Sequence, residues 1–328
     1  MKRINRLEIL QALDKREALD QNQKQELYQL ELGHIGEERI MKWVKEYGEP
    51  HWTVMQNIWL SHYGTFECDI ILFTDQKMYL FEIKNYSKKF ELKNGQCYLG
   101  GKKIGHNPIS QAQKVFVNFQ QLMRNSYYQM PIETAVIFAG EHCEVCVHDE
   151  IQDVKILQLN QVREYIWKIA ADEKLYYGDP IDVHRVQRII EKNKGENYYL
   201  PNPVSPEMEN RIRKGIMCNQ CGNFDIDPSK AIIICNRCLM REPRENAIVR
   251  TICEYGVIHF EKDLETIKLV NFFNGQVSRN NLYYYLDKHF EKIGRTRTIV
   301  FRNLTIPFSD CYKNLCLEQS HCLIVKDY

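Results

Sequence analysis

Asp69, Glu82 and Lys84 are the residues whose types and spacing suggest chemistry. They lie in the stretch FECDIILFTDQKMYLFEIKNY, Phe66 to Tyr86. Its apolar runs predict two strands, Cys68 to Phe73 and Met78 to Lys84, joined by a short turn at Thr74 to Lys77. Side chains alternate along a strand, so Glu82 and Lys84 share one face and Phe81 and Ile83 the other. An acid and an amine ending an apolar run are costly to bury without partners. A hairpin brings Asp69 beside them. Two carboxylates can hold Mg2+ (or Mn2+), a hard cation that takes oxygen ligands. A lysine there can orient an attacking water or neutralise charge developing on a phosphate. Glu91-Leu92-Lys93 repeats the E-x-K spacing, but no acid precedes it in an apolar strand, so a surface strand is expected.

These residues need elements to position them. Residues 4 to 47 have helical spacing of Ile4, Leu7, Leu10 and Leu13, then Leu27, Leu30, Ile40, Met41 and Val44, with a break at Gln21-Asn22. Glu37 shares a face with Ile40, Met41 and Val44 and is expected to point inward. Glu38 falls nearer Lys42 and is expected to be a solvated partner for it. Gly33 and Gly36, three apart, would let another segment approach, such as a nucleic-acid backbone. Trp52 to Leu60 predicts the strand before the hairpin. Phe90–Lys93 and Gln96–Leu99 predict a second hairpin around Asn94-Gly95, ended by Gly100-Gly101. Asn107-Pro108 opens a helix that carries Gln111 one turn in. Gln111 either holds a phosphate or metal-bound water or serves as an ordinary cap. Ile132 to Ala139 predicts a buried strand. Cys143 and Cys146 have no second pair nearby and are expected to be structural. Helices follow at Val162 to Ala171 and Val183 to Lys192.

Three ordered blocks stand together: Gly33-His34-Ile35-Gly36-Glu37, the hairpin with Asp69 and Glu82-Ile83-Lys84, and Asn107-Pro108-Ile109-Ser110-Gln111. Together they resemble the NERD (nuclease-related domain) family of the PD-(D/E)xK nuclease superfamily, over roughly residues 25 to 150. The resemblance implies an α/β (α+β) fold with a restriction-endonuclease-like mixed sheet flanked by helices. It implies a Mg2+-dependent endonuclease acting on DNA phosphodiesters, with Asp69 and Glu82 on the metal. Lys84 would serve the nucleophilic water, and Glu37 and Gln111 would support them.

Further along, Cys218-Asn219-Gln220-Cys221 and Cys235-Asn236-Arg237-Cys238 have close to zinc-ribbon spacing. Four thiolates close a tetrahedral Zn2+ site with no open position, which is structural. Residues 245 to 303 predict a winged helix. Helices are expected at Ala247 to Tyr255, at Leu264 to Phe273, and from Arg279 to Phe290 behind a Ser278 cap. The last would present Arg279, Asn280 and Asn281 to bases, with Tyr283 and Lys288 on phosphates and Arg295 and Arg297 in a basic wing. Cys311, Cys316, His321 and Cys322 lack paired metal spacing.

The organisation expected is residues 1–195 as nuclease-like domain, 196–210 as linker, 211–244 as zinc module and 245–328 as winged-helix domain. The formal net charge of +1 leaves any electrostatic footprint local. No run approaches the length of a membrane span, and the N-terminus does not read as a signal peptide. Twelve cysteines in this setting suggest metal ligands and free thiols in a reducing cytoplasm. The partner expected is duplex DNA, with a homo-oligomer left open. The rival reading is a non-catalytic DNA-binding regulator that retains the nuclease fold.

Overall fold

Helix α1 (Arg6–Lys15) and helix α2 (Gln21–Tyr47) open the chain. The computed structural model describes residues 5–62, 64–195, 202–227, 231–295 and 299–303. These fall into two compact units, residues 29–198 and the described parts of 1–28 with 199–328.

The unit at 29–198 is built on a five-stranded mixed sheet. Its strands are β1 (Thr53–Ser61), β2 (Thr65–Phe73), β3 (Met78–Lys84), β7 (Ile132–Phe138) and β9 (Lys155–Gln158), in the order β1-β2-β3-β7-β9. The first three pair antiparallel, while β3–β7 and β7–β9 are parallel. The centre is covered on both faces, which suits the near-continuous apolar runs of β3 and β7. One face packs Ile70, Leu72, Phe81 and Ile137 against Ile40, Met41 and Val44 of α2 and against helix α4 (Leu159–Lys174). The other packs Ile71, Phe73, Met78 and Leu80 against helix α3 (Pro108–Asn125) and helix α5 (Val183–Lys192). Each buried aliphatic side chain contributes about 2 kcal/mol.

A second sheet has the order β6-β5-β4-β8, from β4 (Phe90–Lys93), β5 (Gln96–Leu99), β6 (Lys102–Ile104) and β8 (Val145–Val147). The expected hairpin is present. Asn94 and Gly95 have φ of 51° and 71°, and the Asp149 carboxylate accepts both of their N–H groups. Gly100 and Gly101 do not end it. At φ of 58° and 77° they turn the chain into β6, a strand too short and lysine-rich to show as an apolar run.

The second unit buries Ile9, Leu10 and Leu13 of α1 in one core with Ile248 and Ile252 of helix α7 (Arg244–Ile258). The same core takes Leu269 and Phe272 of helix α8 (Thr266–Phe272) and Leu282 and Leu286 of helix α9 (Arg279–His289). It also reaches Cys218, Ile233 and Cys235 of the cysteine module. So α1, expected in the first domain, packs in the second unit, because its apolar stripe is covered there. The cysteine module and the helices after it share one interior. Arg16 is fully buried, yet it is compensated. Its guanidinium donates to Glu254 and to the carbonyls of Arg213 and Gly215, and lies 4.1 Å from the centre of the Phe272 ring. Among the described residues no helix is long and apolar enough to cross a membrane.

Candidate active site

Asp69 sits where two strands lose their regular pairing. β2 and β3 pair from Phe73↔Met78 to Ile70↔Phe81. At the next position the Ile83 N–H donates to Asp69 Oδ2 at 2.7 Å. The alternation of β2 breaks at the same point. Phe66 and Cys68 share a core with Ile71 and Phe73, while Ile70 and Leu72 face the opposite one. On the other flank, Gln56↔Ile70 and Ile58↔Cys68 leave Asn57 opposite Asp69. Asn57 has φ of 51°, a left-handed conformation that Asn tolerates better than most residues. Irregularities of this kind re-aim side chains.

Glu82 and Lys84 end β3 as the alternation requires. Glu82 is 3% exposed, and its Oε1 pairs with Lys84 Nζ at 2.6 Å. Burial, then the charge of Asp69, push the Glu82 carboxyl up to about 8, against the opposing pull of Lys84. Burial also raises Asp69, against the Ile83 amide and Lys84. For Lys84, burial disfavours the charge, but the Glu82 carboxylate outweighs it and the net shift is upward.

Glu37 of α2 joins this group. Burial, then Asp69, push it up to about 7, while a hydrogen bond with Asn57 and the charge of Lys84 pull the other way. The local packing explains its place. A Cβ on Gly36 would lie 2.8 Å from Asn85 Cβ, so only glycine lets α2 meet the segment after β3 this closely. Asn85 Nδ2 donates to the Leu32 carbonyl at 2.7 Å, and Arg39 Nη1 to the Ala139 carbonyl at 2.6 Å. The neighbour of Gly36 is thus the protein's own chain, and a Cβ on Gly33 would meet nothing within 4 Å. Glu38 is exposed, and its ion pair, at 3.3 Å, is with His34 rather than the expected Lys42.

Two further residues belong here. Glu67 lies two before Asp69. Burial, then Asp69 and Glu37, push it up to about 7, against a Trp59 hydrogen bond and Lys84. It falls one residue before the predicted strand Cys68 to Phe73, and β2 extends over it. Asn57 is the other, a poor strand former inside β1. Gln111 stands exposed in the first turn of α3, which Asn107 caps by accepting from the N–H groups of Ile109 and Ser110. Four carboxylates around one amine repel one another, and oxygen donors of this kind suit a hard divalent cation. Among the described residues, three or more metal-type ligand atoms within 4.8 Å of one another occur at Cys218, Cys221, Cys235 and Cys238, and at His51, Asp75 and Glu173. Neither of these groups includes Asp69 or Glu82. The Glu173 carboxylate is already taken up by the Trp52 indole and the Asp75 N–H.

In the second unit Sγ of Cys218 is 3.6 Å from that of Cys238, and Cys221 stands equally far from Cys235. The two knuckles close alike, Gly222 N–H on Cys218 O and Leu239 N–H on Cys235 O. N–H groups of Cys238 and Arg237 help pull the Cys235 thiol down to about 6. Of the arginines near the module, Arg250 is internal, bonded to Glu242 and the Met217 carbonyl.

Ser278 caps α9 as expected, accepting the Asn281 N–H. Arg279 and Asn280 are exposed and Asn281 half-buried. Tyr283 packs edge-on against Phe301. β13 (Lys292–Ile293) and β14 (Val300–Phe301) pair antiparallel. Part of the basic charge of this region is paired inside the unit, with Lys288 on Glu245, Lys292 on Asp287 and Arg302 on Glu291. Arg295 is among the described residues. Arg297 and the tail cysteines lie outside them.

Residues 32–139 match the family model of the nuclease-related domain, NERD. A solved structure described as "Crystal Structure of Protein of Unknown Function AF1548" is similar at 10% identity. The match covers 49% of this chain and 78% of that one, with a TM-score of 0.26, too low to bear on the argument. No curated protein matches.

Proposed function

We propose, from the nuclease-related domain at residues 32–139, that the chain is a metal-dependent endonuclease hydrolysing DNA phosphodiester bonds. The observation that carries this reading is the convergence of Asp69, which accepts the Ile83 N–H, with the ion pair of buried Glu82 and Lys84 at the end of β3. Asp69 and Glu82 would hold Mg2+ or Mn2+. The cation, when bound, supplies a Lewis acid and an acidified water. Lys84 would place positive charge beside the scissile phosphate. Glu37, with a proton affinity near neutrality, suits holding a proton of the attacking water, and Gln111 would hold a phosphate oxygen.

The four cysteines would bind structural Zn2+. The helices and β13–β14 after them support a winged-helix reading, in which Arg279, Asn280, Asn281, Tyr283, Lys288, Arg295 and Arg297 position duplex DNA. The thiols of Cys68, Cys97, Cys143 and Cys146, outside any disulfide, suit a reducing cytoplasm. The test is Mg2+-dependent relaxation or linearisation of plasmid DNA by the wild type and by Glu82→Ala. Equal rates would refute the site.

A second reading is a non-catalytic DNA-binding regulator with a nuclease-like fold. The Lys84–Glu82 ion pair favours it, because Lys84 occupies an oxygen that a cation would need.

A further inference from the structure

The segment from Lys84 to Lys114 is out of balance with the rest of the chain. It holds seven lysines, at 84, 88, 89, 93, 102, 103 and 114, against one acid, Glu91. That is a net +6 in a chain of total +1, which leaves −5 for everything else. Outside the segment the chain holds 37 Lys and Arg against 42 Asp and Glu.

The fold gathers this charge on the second sheet. Phe90, Leu92 and Cys97 turn inward to a core with Val136 and Phe138. The outward columns are Glu91↔Tyr98↔Lys103 and Lys93↔Gln96. Lys88, Lys93, Lys102 and Lys103 are all exposed, and none has an ion-pair partner among the described residues. Lys88 lies across the Gly100 turn, where a Cβ would meet its Cδ at 2.8 Å. The acid in the segment is spent locally, Glu91 pairing with His148 at 3.1 Å. Lysines on edge strand β6 also discourage sheet-to-sheet aggregation. That accounts for Lys102 and Lys103 but not for Lys88 and Lys93.

The sheet is contiguous with the carboxylate site. Two residues beyond Lys84, Tyr86 stacks on Phe90 of β4, and its hydroxyl bonds His106 Nε2 at 2.6 Å. Unpaired exposed lysines gathered on one small sheet and its Gly100 turn, next to a site suited to phosphodiesters, match a phosphate backbone in charge.

We infer that the exposed lysines of the β4–β5–β6 sheet, Lys93 and Lys103 on its outer face with Lys88 and Lys102 at the Gly100 turn that joins β5 to β6, form the surface that holds the nucleic-acid backbone. This rests on the nuclease reading and names where its substrate lies. The occupant is duplex DNA, contacted by charge and without base readout.

The test is fluorescence anisotropy of a labelled 30-base-pair duplex with the full chain. Mg2+ is left out rather than chelated, so that any structural metal stays. Carrying Lys88→Gln, Lys93→Gln, Lys102→Gln and Lys103→Gln together should weaken binding at least about 50-fold at low salt. It should flatten the slope of log K against log salt by about 3.6, near 0.9 for each of four lost phosphate contacts. A matching change for a second duplex of unrelated sequence supports backbone contact. Unchanged affinity in the quadruple variant, with loss in Arg279→Gln/Lys288→Gln instead, overturns the proposal in favour of α9. Binding lost in the quadruple variant but no cleavage by the wild type in Mg2+ would keep this surface and sink the nuclease reading. Cleavage that needs Glu82, with the quadruple variant binding normally, would do the reverse.

Discussion

The cysteine cluster and the carboxylate cluster are both suited to metals, yet they are built in opposite ways. The four thiols come from two knuckles of one short module, and all four sulfurs already lie within 4.8 Å. The acids come from α2, β2 and β3, and they stand as mutually repelling groups around Lys84. A closed site of soft ligands in a small module contributes folding energy. An open cluster of buried acids costs folding energy, and that cost is what a cation or a phosphate-bearing substrate can relieve. Under the proposed function, the contrast would separate a metal that holds structure from one that does chemistry.

The largest way to break the contrast is at the thiols. Cys235→Ser removes a ligand that shares the core of the second unit with Ile248 and Phe272. Metal contributions to such modules are about 10 kcal/mol or more. The expected outcome is one Zn2+ per chain by mass spectrometry of metals in the wild type and none in the variant. The cooperative unfolding of that unit should be lost with it. A variant that keeps its metal and its melting transition would remove the structural role.

Next comes Glu82→Gln. Loss of a metal-holding charge should lower plasmid cleavage by about 10³-fold, or about 4 kcal/mol. Stability should move the other way. An acid whose folded pKa is raised, here from 4.5 to about 8, binds more protons folded than unfolded between those values. Metal-free stability therefore falls as pH rises from about 4.5 to 8, and is fully retained below that window. For a residue this buried the effect is on the order of a few kcal/mol. Urea midpoints between pH 5 and 8 should decline in the wild type, decline less in Glu82→Gln, and recover in the wild type when Mg2+ is added at pH 8. A flat profile in the wild type would show that the acids do not repel as described.

The two clusters were also unequally legible in the sequence. The cysteines announce themselves because spacing alone makes a knuckle. Asp69, Glu82 and Lys84 were legible because a hairpin fixes its own neighbours, and β3 runs over the predicted residues. Helical phase favoured Glu37 over Glu38 and left the choice open. Glu67 and Asn57 were not found, because their roles depend on the broken pairing at Asp69, and no local pattern encodes where a ladder fails. The packing of α1 was invisible for a similar reason. Its stripe of Ile9, Leu10 and Leu13 says that it must be covered, not by which distant segment. Lys288 looked free for phosphate because its partner, Glu245, is 43 residues away in sequence.

Gly36→Val sharpens the contrast from the side of the scaffold. The added Cβ, 2.8 Å from Asn85 Cβ, would push α2 off the end of β3 and take Glu37 with it. Overpacking of this kind costs about 1–3 kcal/mol. Cleavage should fall further than stability alone explains, since the fold survives while one acid is displaced. Activity that tracks only the folded fraction would mean that Glu37 has no part in the chemistry.

The smallest effect lies in the second knuckle. Gly222 and Leu239 occupy equivalent turns, at φ of 71° and 60°. Glycine takes that conformation freely, whereas a leucine pays about 1–2 kcal/mol for it. Leu239 is 72% exposed, so little packing is lost with its side chain. Glycine's greater freedom in the unfolded chain takes back about 0.5–1 kcal/mol. Leu239→Gly should therefore stabilise the second unit by up to about 1 kcal/mol, leaving metal content and cleavage unchanged. A destabilised variant would mean that the exposed leucine has a contact whose loss outweighs relief of the turn.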